Sequence, residues 1–346
     1  MKTYKNLYQK LYSYKNLEKA FKKASKSKNS LPYVIEFRLN LKENLLQLQK
    51  ELKNEIYYPH KLTKFTIKDP KTRLIRKSIF RDRVIHHAIV NILEPIYDPI
   101  FIADSYANRL GKGTIGAILK CDKFKRKVSK NGQILSHAVT NNMIKGYVLK
   151  ADIKKFFDSV DQNKLIEIFK RKIKDDKLIW LITKILKNFD HKRIGMPLGN
   201  MTSQFFANVY LNELDYFVKH KLKAKYYIRY VDDFVILHSS KQQLRIWEKE
   251  IEIFLKESLK LEIHPDKSKI INLSKGIDFV GFRNFYYYKL LRKRNMRKVS
   301  YNVKQFKKGE LDEEKFKKSL EGWRAYAKWA NSYNFYKELS EEVDMI

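Results

Sequence analysis

The spacing of apolar residues predicts helices in the first third of the chain. Within residues 1–60, apolar and aromatic side chains recur at helical intervals, beginning with Leu7, Leu11, Tyr14, Leu17 and Phe21. A break at 29–32 precedes a second predicted helix over about 36–55. In residues 61–80, short β-favouring runs flank a turn at 69–72, which predicts a hairpin with basic arms. A helix is predicted over 81–97, ended by Pro95 and Pro99.

The second half of the chain alternates between strand and helix patterns. A buried strand is predicted at 147–153, followed by a helix that starts near Asp161. Two apolar runs in 226–238 meet at Asp232 and Asp233, which predicts a hairpin. The remaining predicted elements are a glycine-rich turn at 195–204, helices at 204–221 and 241–258, hairpins around 275–276 and 279–282, and a basic, partly helical stretch of about 60 residues at the end. The predicted fold class is α+β.

The charge of the chain indicates a polyanionic partner. Its 346 residues include 73 Lys plus Arg against 38 Asp plus Glu, a formal net charge of +35. Nucleic acid is the first candidate and an anionic membrane surface the second; the charges are spread rather than gathered on one amphipathic helix, which disfavours the membrane. A single cysteine, Cys121, excludes an intramolecular disulfide and a Cys-cluster zinc site. We expect a cytoplasmic, globular protein without a membrane span.

Acidic residues inside apolar strands are the first candidates for chemistry. Asp152 ends one predicted strand, and Asp232 and Asp233 interrupt another. A carboxylate is costly to bury without a compensating cation. Mg²⁺ binds one or two carboxylates together with substrate phosphates, and two ions about 4 Å apart serve phosphoryl transfer. The simpler alternative for the acid pair alone is a surface β-turn.

Further motifs give the pattern a family resemblance. Asp152 is followed by Phe157 and Asp158, the turn GMPLGNMTSQ separates the two acidic sites, and FVGF follows them. In this order they resemble the polymerase motifs of reverse transcriptases, and the early segments look like bacterial, group II intron-type enzymes. The segments that carry the resemblance are 73–114, 147–160, 195–204, 230–237, 261–270, 278–282 and 319–331.

The resemblance implies a right-hand polymerase. Its fingers would be built from helices and a β-hairpin, its palm from an antiparallel sheet and its thumb from helices. The expected domains are an N-terminal helical extension at 1–60, fingers with early palm at 61–146, a palm at 147–283 with a fingers insertion at about 165–200, and a thumb at 284–346.

The resemblance also implies roles for individual residues. Two Mg²⁺ ions, replaceable by Mn²⁺, would be held by Asp152, Ile153, Asp232 and Asp233, and Lys267 would protonate pyrophosphate. Phe157 would be the ring that excludes a ribose 2′-OH. The remaining expected substrate-binding residues are Arg73, Arg76, Leu198, Gly199, Ser203 and Gln204. The expected nucleic-acid-binding residues are Arg109, Lys125, Arg126, Phe279, Gly281, Arg292 and Arg294.

Several of these residues have structural alternatives. Phe157 could be a core residue, and Lys267 could be a solvated turn lysine. Arg109 could belong to a structural ion-pair network with residues 81–83. The pair at 86–87, two histidines, lacks metal-ligand spacing, which favours a structural role. The loop at 111–116 lacks the spacing of a nucleotide P-loop.

One motif points to a subfamily. Most reverse transcriptases carry QGxxxSP, whereas residues 198–204 read LGNMTSQ, a form that resembles the enzymes of diversity-generating retroelements. The resemblance implies that the enzyme acts on a template RNA, a primer or cDNA, and dNTPs. It also implies a small basic accessory protein as partner, and it leaves the oligomeric state open. The gene would be bacterial, archaeal or phage-encoded. The short stretch after the thumb is expected to leave no room for a maturase or endonuclease domain. The alternatives are a defence-type reverse transcriptase and a catalytically silent RNA-binding scaffold.

Overall fold

A computed structural model of the chain describes residues 2–68, 72–135, 143–189 and 193–344. The α+β class is confirmed. The helices are α1 Tyr8–Leu11, α2 Tyr14–Ser25, α3 Pro32–Leu39, α4 Leu41–Lys53, α5 Phe80–Tyr97, α6 Thr114–Val128, α7 Phe156–Ser159, α8 Gln162–Lys172, α9 Asp176–Lys187, α10 Met201–Tyr216, α11 Lys241–Leu259, α12 Lys293–Lys307, α13 Glu313–Ala327 and α14 Tyr333–Asp344. The strands are β1 Thr63–Ile67, β2 Arg73–Lys77, β3 Tyr147–Asp152, β4 Tyr226–Tyr230, β5 Asp233–His238, β6 Lys269–Asn272, β7 Ile277–Phe279, β8 Phe282–Asn284 and β9 Lys289–Leu291.

The chain divides into two compact units. The first unit comprises Met1–Gly113, Asp152–Lys225 and Lys249–Pro265. The second unit comprises Thr114–Ala151, Tyr226–Glu248 and Asp266–Ile346. The domain boundaries expected from the sequence, at 60, 146 and 283, stay predictions. No helix in the described ranges is long and apolar enough to cross a membrane.

Helix α5 is the centre of the first unit and packs against α2 and α10. Its apolar residues are buried on most sides, which is typical of a core helix rather than a surface helix. The helix predicted over 81–97 is confirmed at Phe80–Tyr97, and Pro95 lies inside it rather than ending it. Proline removes one helical hydrogen bond, and the burial of Ile96 and Tyr97 on the core side compensates for that loss.

Two other predictions for the first unit are refined by the structure. The helix expected over about 36–55 is two helices, α3 and α4, because Asn40 between them has a non-helical backbone with φ −118° and ψ 46°. The expected hairpin is confirmed: β1 and β2 pair antiparallel, with Phe65 opposite Ile75. Residues 69–71 of its predicted turn lie outside the described residues.

The second unit contains a four-stranded sheet in the order β4-β5-β3-β6. The β4–β5 hairpin expected from the sequence is confirmed, with Tyr230 opposite Asp233. Helix α6 packs against both strands of that hairpin, and Ile118 and Cys121 on its inner face are fully buried. The sheet therefore has at least one face covered by a helix.

The C-terminal part of the second unit has its own sheet and helical core. Strands β7, β8 and β9 form an antiparallel meander. The hairpin expected at 279–282 is confirmed, whereas the one expected around 275–276 is wrong: β6 pairs with β3 and β7 pairs with β8, so these residues connect two sheets. Helices α12 and α13 pack together around Val299, Val303 and Phe316.

Candidate active site

The acid pair lies at a tight and strained turn. Strand β4 ends at Tyr230 and β5 begins at Asp233, and between them Val231 has φ +56°. A β-branched residue in the left-handed region is strained, and such strain clusters at functional sites. The buried guanidinium of Arg229 donates a hydrogen bond to the Val231 carbonyl at 3.1 Å. Asp232 is thereby held at the tip of a braced hairpin.

A lysine on the neighbouring strand faces the second acid. Strand β3 lies between β5 and β6 in the sheet, and its Lys150 Nζ is 3.7 Å from a carboxylate oxygen of Asp233. Both side chains are largely buried. Lys150 and Asp152 project from the same side of β3, because side chains alternate along a strand. The charge of Asp233 is thus partly balanced within the protein.

In the first unit, the backbone after β3 pairs with a second segment. The Asp152 carbonyl accepts a hydrogen bond from the His264 amide at 2.7 Å, and Ile153 forms a β-bridge with Ile263. The Lys154 amide donates to the Glu262 carbonyl at 2.8 Å. Asp152 is half-buried and Ile153 is buried. This pairing fixes the backbone at Asp152.

The structure brings Phe157 to the glycine-rich turn. Phe157 is half-buried in α7, and its ring meets that of Phe156 edge-on at 5.2 Å. Its carbonyl accepts a hydrogen bond from the Met196 amide at 2.6 Å, and the Val160 carbonyl accepts one from Gly195 at 2.7 Å. Two motifs that the sequence singled out separately are therefore bonded to each other.

The same turn is also bonded to β2. The Arg76 amide donates to the Leu198 carbonyl at 3.1 Å. Asn200 bridges the two segments, since its side chain accepts from the Ser78 amide at 2.9 Å and donates to the Arg76 carbonyl at 3.3 Å. Gly199 has φ +113°, and a Cβ there would lie 2.9 Å from Ile75 Cγ2. Only glycine allows this approach.

A buried histidine completes this network. His86 lies 3.1 Å from Ser78 Oγ through Nε2 and 2.6 Å from Thr202 Oγ1 through Nδ1. Burial lowers the pKa of His86 to about 3, so the ring is neutral at physiological pH. The structural role favoured by the sequence agrees with this position. Ser78, Asn200 and Thr202 were missed, and only the position of Asn200 before a helix could have drawn attention to it.

The other predicted substrate-binding residues differ in accessibility. Gln204 and Arg73 are exposed, Leu198 is half-buried and Ser203 is buried. Of these, Ser203 is therefore the one whose side chain is enclosed by the protein. Lys267 is half-buried in a turn before β6.

Two residues expected to bind nucleic acid are instead used inside the protein. The guanidinium of Arg109, 8% exposed, donates to Asp98 Oδ1 at 2.6 Å and to the Ile102 carbonyl at 2.7 Å. Lys125, 1% exposed, donates to the Phe285 carbonyl at 2.6 Å and pairs with Asp122 at 2.8 Å. Their cationic groups are thus buried and occupied, which argues against the expected role of both. Arg109 is structural, but its acidic partner is Asp98 and not a residue of 81–83.

The other residues expected to bind nucleic acid lie in the second unit and differ in their exposure. Arg126 and Arg294 are exposed and Arg292 is half-buried. Phe279 is fully buried. Gly281 has φ +92°, and a Cβ there would overlap the Tyr326 hydroxyl. The Phe279 ring is therefore used in the core, and Gly281 allows the turn to lie against Tyr326.

The donor chemistry at the hairpin suits a hard divalent cation. In the part of the chain that the structure describes, no group of three or more His, Cys, Asp or Glu side chains is arranged to hold a metal. Mg²⁺, however, is bound through one or two carboxylates plus substrate phosphates rather than by an all-protein cage. The adjacent carboxylates of Asp232 and Asp233 fit that mode in number and in kind.

Comparisons with known proteins find one family match and several similar sequences. The family model "Reverse transcriptase (RNA-dependent DNA polymerase)" matches residues 66–284. The group II intron-encoded protein LtrA of Lactococcus lactis subsp. cremoris is 25% identical over 312 residues, covering 69% of this chain and 49% of LtrA. Protein YkfC of Escherichia coli K12 is 26% identical over 264 residues, covering 65% of each chain. The chain therefore spans about half the length of LtrA.

Among solved structures, a telomerase from Candida albicans in complex with a fragment of telomeric RNA is similar, with a TM-score of 0.49 and 11% identity. The similarity covers 71% of this chain and 50% of that one. The mixed helical and antiparallel-sheet architecture is consistent with the right-hand polymerase fold expected from the sequence.

Proposed function

Because the chain belongs to the reverse transcriptase (RNA-dependent DNA polymerase) family, we propose that it copies a template RNA into cDNA from dNTPs. The observation that carries the proposal is the strained β4–β5 turn, which presents Asp232 and Asp233 together; Asp152 is the last residue of β3. These acids and the Ile153 backbone would hold two divalent ions, Mg²⁺ or Mn²⁺. Bound there, the ions would supply activation of the primer hydroxyl and charge stabilisation on the phosphates.

The protein's own residues would orient the reactants. Arg73 and Arg76 would bind the triphosphate, for which a guanidinium has matching geometry. Phe157 would limit the space at the sugar 2′ position, and Lys267 would give a proton to pyrophosphate. The β7–β8 turn at Gly281 would support the primer through its backbone. Lys150 would keep Asp233 in place before the ions bind, because it already contacts that carboxylate.

Asparagine substitution of Asp232 tests the proposal. Asp232→Asn keeps the shape but removes a negative charge, so primer extension on an RNA template should be lost while RNA affinity is nearly unchanged. Asp176→Asn, an exposed acid on α9, is the matched control and should extend normally. Normal extension by Asp232→Asn would rule out the polymerase assignment. Extension by the unmodified chain would itself exclude the silent-scaffold alternative.

We assign the enzyme, more finely, to the diversity-generating type. Leu198 and Gln204 support this, because LGNMTSQ replaces the more common QGxxxSP. The leucine side chain has no hydrogen-bond donor or acceptor. At position 198 the new base pair would therefore be selected by its shape alone. Loss of a hydrogen bond at a polar site changes discrimination by about 5- to 150-fold. The proposal includes a small basic accessory protein and a cytoplasmic location. A defence-type reverse transcriptase is the alternative.

Sequencing of cDNA made by Leu198→Gln tests the subtype. The substitution should lower misincorporation, which the resemblance places at template adenines, without abolishing synthesis. The competing view is that Leu198 only packs beneath the turn. In that case the variant would lose activity on all four template bases alike with an unchanged error spectrum.

A further inference from the structure

A basic cavity with aromatic walls lies in the first unit and shares one residue, Arg76, with the proposed triphosphate site. It has a volume of about 900 Å³ and lies between α9 and the segment 58–64. We call it the α9 groove. Its cations are Lys61, Lys64, Arg76, Lys184 and Lys187, and its aromatic residues are Tyr58, Trp180 and Phe189. Among the described residues, none that lines the groove is acidic.

One side of α9 forms the wall of this groove. Trp180, Thr183, Lys184 and Lys187 recur at helical spacing along it, while the opposite side of the helix is buried. The Trp180 ring is braced by the buried Tyr8, which it meets edge-on at 6.5 Å. Helix α9 therefore presents an aromatic ring and two lysines on the same side.

The rings and cations of the groove are already in contact. Lys184 Nζ lies 4.6 Å from the Trp180 ring centre and 5.2 Å from that of Tyr58. The Arg76 guanidinium lies 4.6 Å from the Phe189 ring centre. Tyr58 is nonetheless 71% exposed, so one face of its ring is accessible to a ligand. Lysine is a compact charge on a flexible stem, so Lys184 can leave the rings for a phosphate.

We propose that the α9 groove binds a stretch of unpaired RNA. Bases would stack on Tyr58 and Trp180, and the lysines would bind the phosphates, the combination by which single strands are held without sequence preference. An acidic peptide would use the cations but leave the rings unexplained. The inference rests on the proposed function only in taking RNA as the ligand.

The proposal is tested by binding a labelled ten-nucleotide oligouridylate to the full chain. Affinity is measured over a series of salt concentrations and without dNTPs. Trp180→Ala should weaken binding about fivefold or more, as loss of one stacked base does, with an unchanged salt slope. The double variant Lys184→Gln/Lys187→Gln should instead reduce the slope of log affinity against log salt by about 1.4, two contacts at about 0.7 each.

Matched controls lie outside the groove on the same unit. Tyr216→Ala removes another exposed ring, and Lys42→Gln/Lys53→Gln removes two other exposed lysines. Neither should change affinity or slope. Because Trp180 packs on Tyr8, melting curves accompany each variant. The lysine variant leaves that packing intact and decides the question if Trp180→Ala does not fold.

Two sources of unpaired RNA are then separated with primer–template duplexes. A Trp180→Ala defect seen with an eight-nucleotide template overhang but not with a one-nucleotide overhang assigns the groove to the template ahead of the primer. In the second experiment, the chain is first saturated with the duplex that has the one-nucleotide overhang, and oligouridylate is then added. If Trp180→Ala weakens binding of that oligouridylate, the groove is assigned to a separate stretch of RNA. Either result supports the proposal.

Unchanged affinity and slope in both groove variants would overturn the proposal, as would a defect confined to the KM for dNTPs. Failure of the proposed function is a different result. A chain that binds oligouridylate through the groove but never extends a primer would refute the polymerase assignment and leave the groove assignment intact.

Discussion

Lys125 provides a sharp test, because the sequence and the structure give it opposite roles. It lies in the basic run KFKRK, which predicts contacts with an RNA backbone. In the structure its Nζ is bonded to the Phe285 carbonyl and to Asp122. Its neighbour Arg126 is exposed. We expect Lys125→Met to destabilise the second unit without changing RNA binding, and Arg126→Met to do the reverse.

The size of the effect follows from the contacts. Removing one member of a buried ion pair costs about 3–5 kcal/mol. Asp122 keeps a second cation, Lys289 at 2.6 Å, which lowers that figure. The loss of a hydrogen bond to a charged donor is about 1.5–3 kcal/mol, and methionine retains most of the buried aliphatic volume. We therefore expect about 2–3 kcal/mol of destabilisation.

Urea denaturation measures the stability of both variants. RNA-binding titrations at several salt concentrations measure their RNA affinity separately. Arg126→Met should keep the denaturation midpoint and reduce the salt slope by about 0.7. The reasoning would be refuted if Lys125→Met kept the midpoint and lost the salt-dependent contact instead. That result would mean that Lys125 leaves Phe285 and Asp122 to reach the RNA.

Three further predictions concern other parts of the chain. Because burial lowers the pKa of His86 to about 3, the unfolded state binds more protons than the folded state below about pH 6.5. Stability should therefore fall as the pH drops from 6.5 towards 3. Denaturation at each pH checks this, and His86→Asn should lose less stability over the same range. Gly281→Ala should lower the melting temperature, and adding Tyr326→Phe should restore part of it, since only a carbon 3.4 Å away then faces the new Cβ; no recovery would mean that the positive φ alone causes the loss. Phe157→Ala should raise ribonucleotide incorporation relative to deoxyribonucleotide incorporation in primer extension, and an unchanged ratio with normal activity would assign the ring to the core.

Local patterns in the sequence were sufficient to predict the elements that carry the acids. The β4–β5 hairpin was predicted because two apolar runs change direction at adjacent acids. Helix α8 was predicted to start near Asp161, whose side chain accepts a hydrogen bond from the Lys164 amide as a helix cap does. Such features depend on residues close together in the chain.

Features that depend on distant residues were not predictable in the same way. The buried Lys125 donates a hydrogen bond to the carbonyl of a residue 160 positions away, whereas a run of basic residues by itself predicts solvated charge. Pro95 stays inside α5 because its neighbours are buried in the core. The polar partners of His86 likewise come from two separate segments, at Ser78 and Thr202.

The long-range bonds between β2 and the glycine-rich turn bear on how Leu198 can act. Ser78 and Asn200, 122 positions apart, are joined by a hydrogen bond, and the Leu198 carbonyl is held by the Arg76 amide. Neither bond uses the Leu198 side chain, so that side chain can be exchanged without releasing the turn. A polar side chain there would consequently change the chemistry presented to a base pair and leave the backbone in place. This is why Leu198→Gln separates a role in fidelity from a role in folding.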